Sequence, residues 1–286
     1  MRAQRRARRA IYWLLLPMSL VYVVLFVAPL GILGVYSFWV SKSFQIIQVW
    51  TLENYLAFFQ RPAYVRALFK TVWIAGVITV LTTTLAYGFA YFLVKRGGRY
   101  QKALVLLVIV PFWTSFLLRT YAWMTVLGEK GFINQMLVYL RVVTEPLDFL
   151  LYNKFAVILA SIHLFIPFSI ISIYTALEKM DFNLVDAAKD LGAGPGRAFW
   201  HVTLPQTMTG IWASILFVFV PSLGLYITPA LVGGADGAMI ANLIVNQFEV
   251  FRLGLGAAIS FVITALVVLF LLAVRRYIDL EKIYSQ

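Results

Sequence analysis

The chain has 286 residues, 62% of them hydrophobic and only 13% charged, and its mean hydropathy is +0.86. Soluble domains run near 45–50% apolar and about 25% charged, so a soluble enzyme or binding domain is excluded and an integral membrane protein is indicated. There is no cysteine, which removes disulfides and thiolate metal centres. A formal charge of +12 would suggest nucleic acid in a soluble protein. Around membrane spans it reports topology instead, and no nucleic-acid partner is expected.

Residues 1–10 carry five arginines and read as a basic cytoplasmic tail. The apolar run 11–38 is too long for a cleaved signal sequence and is read as a retained first transmembrane helix. Residues 39–70 are mixed; Asn54, Tyr55, Phe58, Phe59 and Tyr64 fall at near-helical spacing and suggest an interfacial helix on the outer side. A core domain, 71–276, follows, with five spans expected at 71–94, 103–127, 155–177, 208–231 and 254–274. Each is long enough to cross a hydrocarbon core of ~30 Å at ~1.5 Å per residue. Residues 277–286 form a second cytoplasmic tail. The expected fold class is therefore all-α, with six transmembrane helices.

With the N-terminus inside, the inner segments hold 15 of the 24 Lys and Arg, the outer segments hold 8, and Arg119 lies within a span. This asymmetry favours an N-in, C-in topology and places residues 181–205 in the cytoplasm. Pro17, Pro29, Pro111, Pro167, Pro221 and Pro229 fall inside the spans. Each removes a helix hydrogen bond, which membranes tolerate where neighbouring helices or a cavity satisfy the freed carbonyl.

The segment 181–205 is the longest polar interruption in the C-terminal half. Asn183 is placed to cap a helix over 184–191, with Asp186 at its third position, where a carboxylate favours the helix dipole and can reach back toward the cap. Leu184, Ala187, Ala188 and Leu191 share one face at i, i+3, i+4, i+7. Gly192 stands where a left-handed residue would stop the helix. Pro195 suits the start of a second short helix over 197–203, and Pro205 breaks the chain before the fifth span. Two helical turns are not stable alone in water. Burial of Leu184 and Leu191 would contribute about 1.5–3 kcal/mol each, either on the protein's own bundle or in a partner.

Asp186-Ala187-Ala188, three residues, Gly192, nine residues, then Val202-x-Leu204-Pro205 resembles the EAA loop of permease subunits of ABC importers. Asp replaces Glu and Val replaces Ile. That resemblance implies the type I importer permease fold, in which the loop forms a coupling helix docked on a separate ATPase subunit. The residues it assigns to coupling are Leu184, Asp186, Ala187, Ala188, Leu191, Gly192, Arg197 and Pro205. It also implies a second permease, two ATPase subunits that bind the ATP and Mg, and an external solute-binding protein, with neither cofactor nor catalysis in this chain. Asn54-Tyr55, Pro111-Phe112-Trp113, Arg119-Thr120-Tyr121-Ala122-Trp123, Leu177-Glu178 and Gly233-Gly234 are similar to the polyamine branch. Related branches carry opines, amino-acid derivatives, phosphonates or ferric iron.

For the substrate path the candidates are Trp113, Arg119, Tyr121, Trp123, Tyr226 and Asp236. Aromatic faces attract ammonium groups by ~0.5–2 kcal/mol each, although aromatic residues also serve as packing and as interfacial belts. Arg119, on a straight third span, would lie roughly 24 Å from the inner end, where it could snorkel outward or pair with a carboxylate or a freed carbonyl at the outer gate. No carboxylate occupies the middle of a span, so the buried acids that a polycation needs are expected from the partner permease. His163 and His201 are isolated, and no metal site is expected. The glycines around Pro195 lack the Lys-Ser/Thr ending of a phosphate loop. A secondary transporter would instead require ionisable relays or inverted repeats within the membrane, and neither is visible.

Overall fold

The computed structural model describes residues 16–42 and 45–275; the expected tails and the first turn of the first span lie outside them. The helices are α1 (Leu16–Phe38), α2 (Glu53–Gln60), α3 (Pro62–Arg96), α4 (Gly98–Trp113), α5 (Phe116–Leu127), α6 (Phe132–Tyr139) and α7 (Lys154–Glu178). They continue with α8 (Asn183–Asp190), α9 (Pro195–Gln206), α10 (Met208–Leu223), α11 (Ile227–Val232), α12 (Gly234–Gly237), α13 (Ile240–Glu249) and α14 (Leu253–Val274). The described residues contain one antiparallel hairpin, β1 (Val40–Lys42) with β2 (Gln45–Ile47), in which Val40 faces Ile47. Four helices, α1, α3, α7 and α14, are long and apolar enough to cross a membrane alone, and two bent pairs bring the spans to six.

Three expected spans change shape. The second begins at Pro62 rather than at 71. Proline is pre-organised for a first helical turn, and hydropathy marks only the apolar part of a helix that continues past the lipid. The third is not straight: α4 and the α5–α6 segment meet at 92°. Thr114 and Ser115 are extended there, at ψ 150° and 134°. Pro111 cannot donate to the helix ladder, and its carbonyl accepts from both the Thr114 backbone N–H (3.2 Å) and the Thr114 hydroxyl (2.6 Å), which closes the turn and ends α4. The fifth span ends at Leu223 rather than 231, just after Pro221 and at Gly224, and it bends by 65° from α9 at Thr207. The fourth and sixth spans lie within one residue of expectation at each end, α7 continuing through Pro167.

By internal contacts the chain forms two units. The first takes the described residues of Met1–Val65 with Leu243–Ala265. Here α2, the helix expected to be interfacial, is fastened by Asn54, whose side-chain amide donates to the carbonyls of Ser37 (3.0 Å) and Trp39 (2.9 Å). The Tyr55 hydroxyl donates to Ser37 Oγ at 2.8 Å. Gly254 comes so close to this junction that a Cβ would lie 2.1 Å from the Trp39 carbonyl.

The second unit is Arg66–Asn242 with Leu266–Gln286, again only as far as its residues are described. Its axis is the α7–α10 pair, which a glycine allows to close: a Cβ on Gly210 would stand 2.6 Å from Ala176 Cβ and 2.8 Å from the Ser172 carbonyl. Hydroxyls bridge the helices in the same layer. Ser169 bonds Ser214, Ser214 bonds Thr83 at 2.9 Å, and Tyr87 bonds Thr207 at 3.0 Å beside the bend. In the absence of water each pair satisfies groups that lipid would leave unpaired. Ile74, Ile78, Val157, Phe165, Val218 and Met239 build the apolar core around them.

Candidate functional site

The polar segment 181–205 folds as two short helices against each other. α8 starts one residue earlier than expected, and Asn183 does not cap it with its side chain. The Asp181 carboxylate instead accepts the Asn183 backbone N–H at 3.0 Å, because an acceptor two residues upstream reaches the first free N–H better than Asn183 reaches its own turn. Nor does Asp186 fold back on the cap. Its Oδ1 accepts from Lys189 Nζ at 2.8 Å, and this bond holds the Asp186 carboxyl below, and the Lys189 ammonium above, its ordinary range. The C-terminus behaves as expected. Gly192 is left-handed at φ +87°, and N–H groups of Gly192 and Ala193 bond the carbonyls of Lys189 (2.8 Å) and Ala188 (3.0 Å), a paired stop that satisfies the last carbonyls.

The apolar stripe divides. Val185, absent from the expected stripe, is buried with Met180 and Ala198, and Ala188 packs at the edge of that cluster. Leu184, Ala187 and Leu191 face outward, Leu191 being 89% exposed. Arg197, also exposed, lines an open cleft of about 290 Å³ with Leu191, Gly192, Ala193 and His201. The second helix starts at Pro195 rather than 197, and it passes through a π-turn, Phe199–Thr203, before Pro205. That wider turn precedes a residue with no N–H to give. One tie had no local signal. Lys95, in the last turn of α3, sits 4.4 Å from the centre of the Phe182 ring and so braces the start of α8.

The six path candidates do not form one cluster. Trp113 is 85% exposed at the α4–α5 break, and Tyr121 is exposed on α5. Trp123 packs on the core and donates its indole N–H to His163 Nδ1 at 3.0 Å, so His163 is not isolated. Tyr226 begins α11, and its carbonyl accepts from Asn242 at 3.1 Å. Asp236 accepts the backbone N–H of Lys154 (3.4 Å) and lies 3.9 Å from its ammonium, a tie between α12 and the start of α7. The Arg119 guanidinium lies over Phe112 at 5.3 Å.

Residues 83–280 match the model of a family described as the inner membrane component of binding-protein-dependent transport systems. This chain belongs to that family. Among curated relatives, the spermidine/putrescine transport system permease protein PotB of Haemophilus influenzae is 34% identical over 93% of this chain and 89% of its own. PotB of Escherichia coli is 36% identical over 80% and 82%. The inner membrane ABC transporter permease protein YdcU of Escherichia coli is 30% identical over 79% and 75%. A chain in the crystal structure of a bacterial ABC transporter that imports alginate superposes with a TM-score of 0.74 at 20% identity, covering 98% of this chain and 100% of that one. The fold is thus that of an importer permease, and the location is the inner membrane.

Proposed function

We propose that this chain is one of two permease subunits of an ATP-driven importer whose substrate is a polyamine such as spermidine or putrescine. The observation that carries the coupling half of the proposal is the exposed face of Leu184, Ala187 and Leu191 on a helix braced from behind by Val185 and Lys95. Such a face is built to be covered. In this proposal two ATPase subunits, which bind the ATP and Mg, receive it, with Asp186, Ala188, Gly192, Arg197 and Pro205 shaping and orienting the contact. Closure of the ATPases would shift α8 and, through α9 and the Thr207 bend, α10. Coupling requires the docked helix to have different interaction free energies in the inward- and outward-open states.

The substrate half is supported by the names of the relatives that cover four-fifths or more of this chain. An external binding protein would deliver the ligand; a solved relative of the same fold was crystallised with a ligand-bound periplasmic protein. Trp113, Tyr121 and Tyr226 are the aromatic faces left exposed for an ammonium group, whereas Trp123 and Asp236 have side-chain partners.

Two measurements test the proposal separately. Affinity purification of the tagged chain should retain an ATPase subunit, and a Leu184→Asp, Leu191→Asp double variant should lose it while still inserting in the membrane. Labelled putrescine uptake should be blocked by excess spermidine. Block by an opine, a phosphonate or a ferric chelate instead would move the substrate to another branch and leave the coupling assignment standing.

A further inference from the structure

Arg119 is placed by contacts that a straight third span would not have given it. Its guanidinium carbon lies 5.3 Å from the centre of the Phe112 ring, and that ring meets Phe168 of α7 edge-on at 4.7 Å. One turn further along α5, Trp123 bonds His163 of α7. Arg119 is therefore bracketed by His163 and Phe168. On α7 these residues stand about 13 and 21 Å from the outer end, and about 22 and 15 Å from the inner end. The 92° break has moved the charge from near the outer face to the middle of the bilayer. The head does not snorkel; it is turned onto an aromatic ring at mid-depth, about 15 Å from either edge of the hydrocarbon.

At that depth the cation is incomplete. Its Nε is buried without a hydrogen-bond partner, and among the described residues no carboxylate meets the guanidinium. Among the described residues every Asp and Glu lies at or beyond the end of a spanning helix, Glu129 falling in the gap between α5 and α6, so a second copy of this chain would bring no carboxylate from within a spanning helix either. Around Arg119 the α4–α5 surface is uncovered and apolar, with Trp113, Leu118 and Tyr121 exposed. An intramembrane arginine calls for an opposite charge or a set of acceptors from protein.

We propose that Arg119 pairs with an intramembrane carboxylate of the second, distinct permease, across the face formed by Trp113, Leu118 and Tyr121. This rests on the two-permease arrangement proposed above. The pair seals mid-depth in the empty transporter. Because a guanidinium and a substrate ammonium seek the same anion, the pair also holds a carboxylate in the path that an entering polycation can take over.

The test uses the complete transporter in native membranes, with the tag on this chain and recovery of the second permease as the readout, so that it does not depend on substrate identity. Arg119→Glu should cut that recovery by at least about tenfold, as expected when a buried pair becomes a repulsion. Arg119→Met, which keeps the volume and removes the charge, should fall between. Changing one intramembrane Asp or Glu of the second permease to Arg should restore recovery in the Arg119→Glu background, which a misfolded variant could not show. Wild-type recovery in both single variants, or the absence of a rescuing position, would overturn the pairing and leave the cation to a lipid phosphate or a water-filled path. If the wild-type chain itself recovers no distinct permease, the two-permease arrangement fails, a different result from failure of the pairing alone.

Discussion

In the polar segment 181–205, α8 is shaped by bonds between near neighbours: Asp181 to the Asn183 N–H, Lys189 to Asp186, and Gly192 and Ala193 back to Lys189 and Ala188. In the third span, α5 is aimed by residues far along the chain, with Trp123 bonded to His163 40 positions away and Phe112 set against Phe168. The first region exposes its apolar residues and buries little, whereas the second buries an unpaired Nε in the membrane. A contact surface for an outside partner can be specified by a short local pattern. A site inside the bilayer is specified only once several helices have been packed together.

The largest effect should come from the packed region. Gly210→Leu would force a side chain into Ala176 and the Ser172 carbonyl, and overpacking of this kind costs about 1–3 kcal/mol or more. The detergent-purified chain should lose its monodisperse peak, and its melting temperature should drop. Gly196→Ala in the loop, where an added Cβ meets nothing within 4 Å, should leave both unchanged. Similar behaviour of the two variants would mean that the contrast between the regions is not one of packing.

Next in size is Gly192→Val. A β-branched residue at φ +87° carries the left-handed penalty of about 1–2 kcal/mol and disturbs the stop that sets where Leu191 points. Insertion and overall stability should survive while ATPase retention and uptake fall together. Normal uptake in this variant would remove the loop from the coupling role.

How far each region could be read in advance follows the same division. The Ala-Ala pair, the glycine stop and Pro195 are local features, and α8 appears within one residue of its expected start, with Gly192 left-handed as expected. The errors there are equally local: Asp181 took the capping position given to Asn183, and Lys189 took the carboxylate given to the cap. The spans of α7 and α14 were legible because hydropathy alone delimits them. The break at Thr114 was not, because Pro111 resembles the prolines that α7 tolerates at Pro167. What separates them is a threonine three residues on whose N–H and hydroxyl both take the Pro111 carbonyl and close the turn. The depth of Arg119, the Trp123–His163 bond and the Lys95–Phe182 brace all require helix neighbours that no single stretch of sequence names.

A smaller effect is expected at one of those non-local ties. Trp123→Phe keeps the ring on the core but removes the donor to His163. It should destabilise the chain by about 0.5–1.5 kcal/mol, read as a small fall in melting temperature. Should it cost as much as Gly210→Leu, Trp123 would be holding the third span in place, beyond merely completing a hydrogen bond.

The smallest effect concerns the Asp186–Lys189 pair, and here the sign can be worked out. The hydrogen bond from Lys189 holds the Asp186 carboxyl below its ordinary range. Its contribution is therefore complete above the unfolded-state pKa and is lost as pH falls through the lowered value. The Lys189 ammonium is raised by the same bond, so its contribution is complete below the unfolded-state pKa and is lost as pH rises through the raised value. Between those limits the pair is constant. Hydrogen-exchange protection of α8 in the purified protein should then be flat from about pH 5 to about pH 9, once the intrinsic exchange rate is divided out. Both side chains are in solvent, 46% and 65% exposed, so added salt should weaken even this modest protection. A step within that range would mean that α8 is held by contacts beyond this pair, with the second helix of the loop lining the cleft beside Leu191. The position of Leu191 would then depend on the second helix of the loop as well as on the stop at Gly192, and the loop would share with the third span a dependence on contacts beyond its own turn.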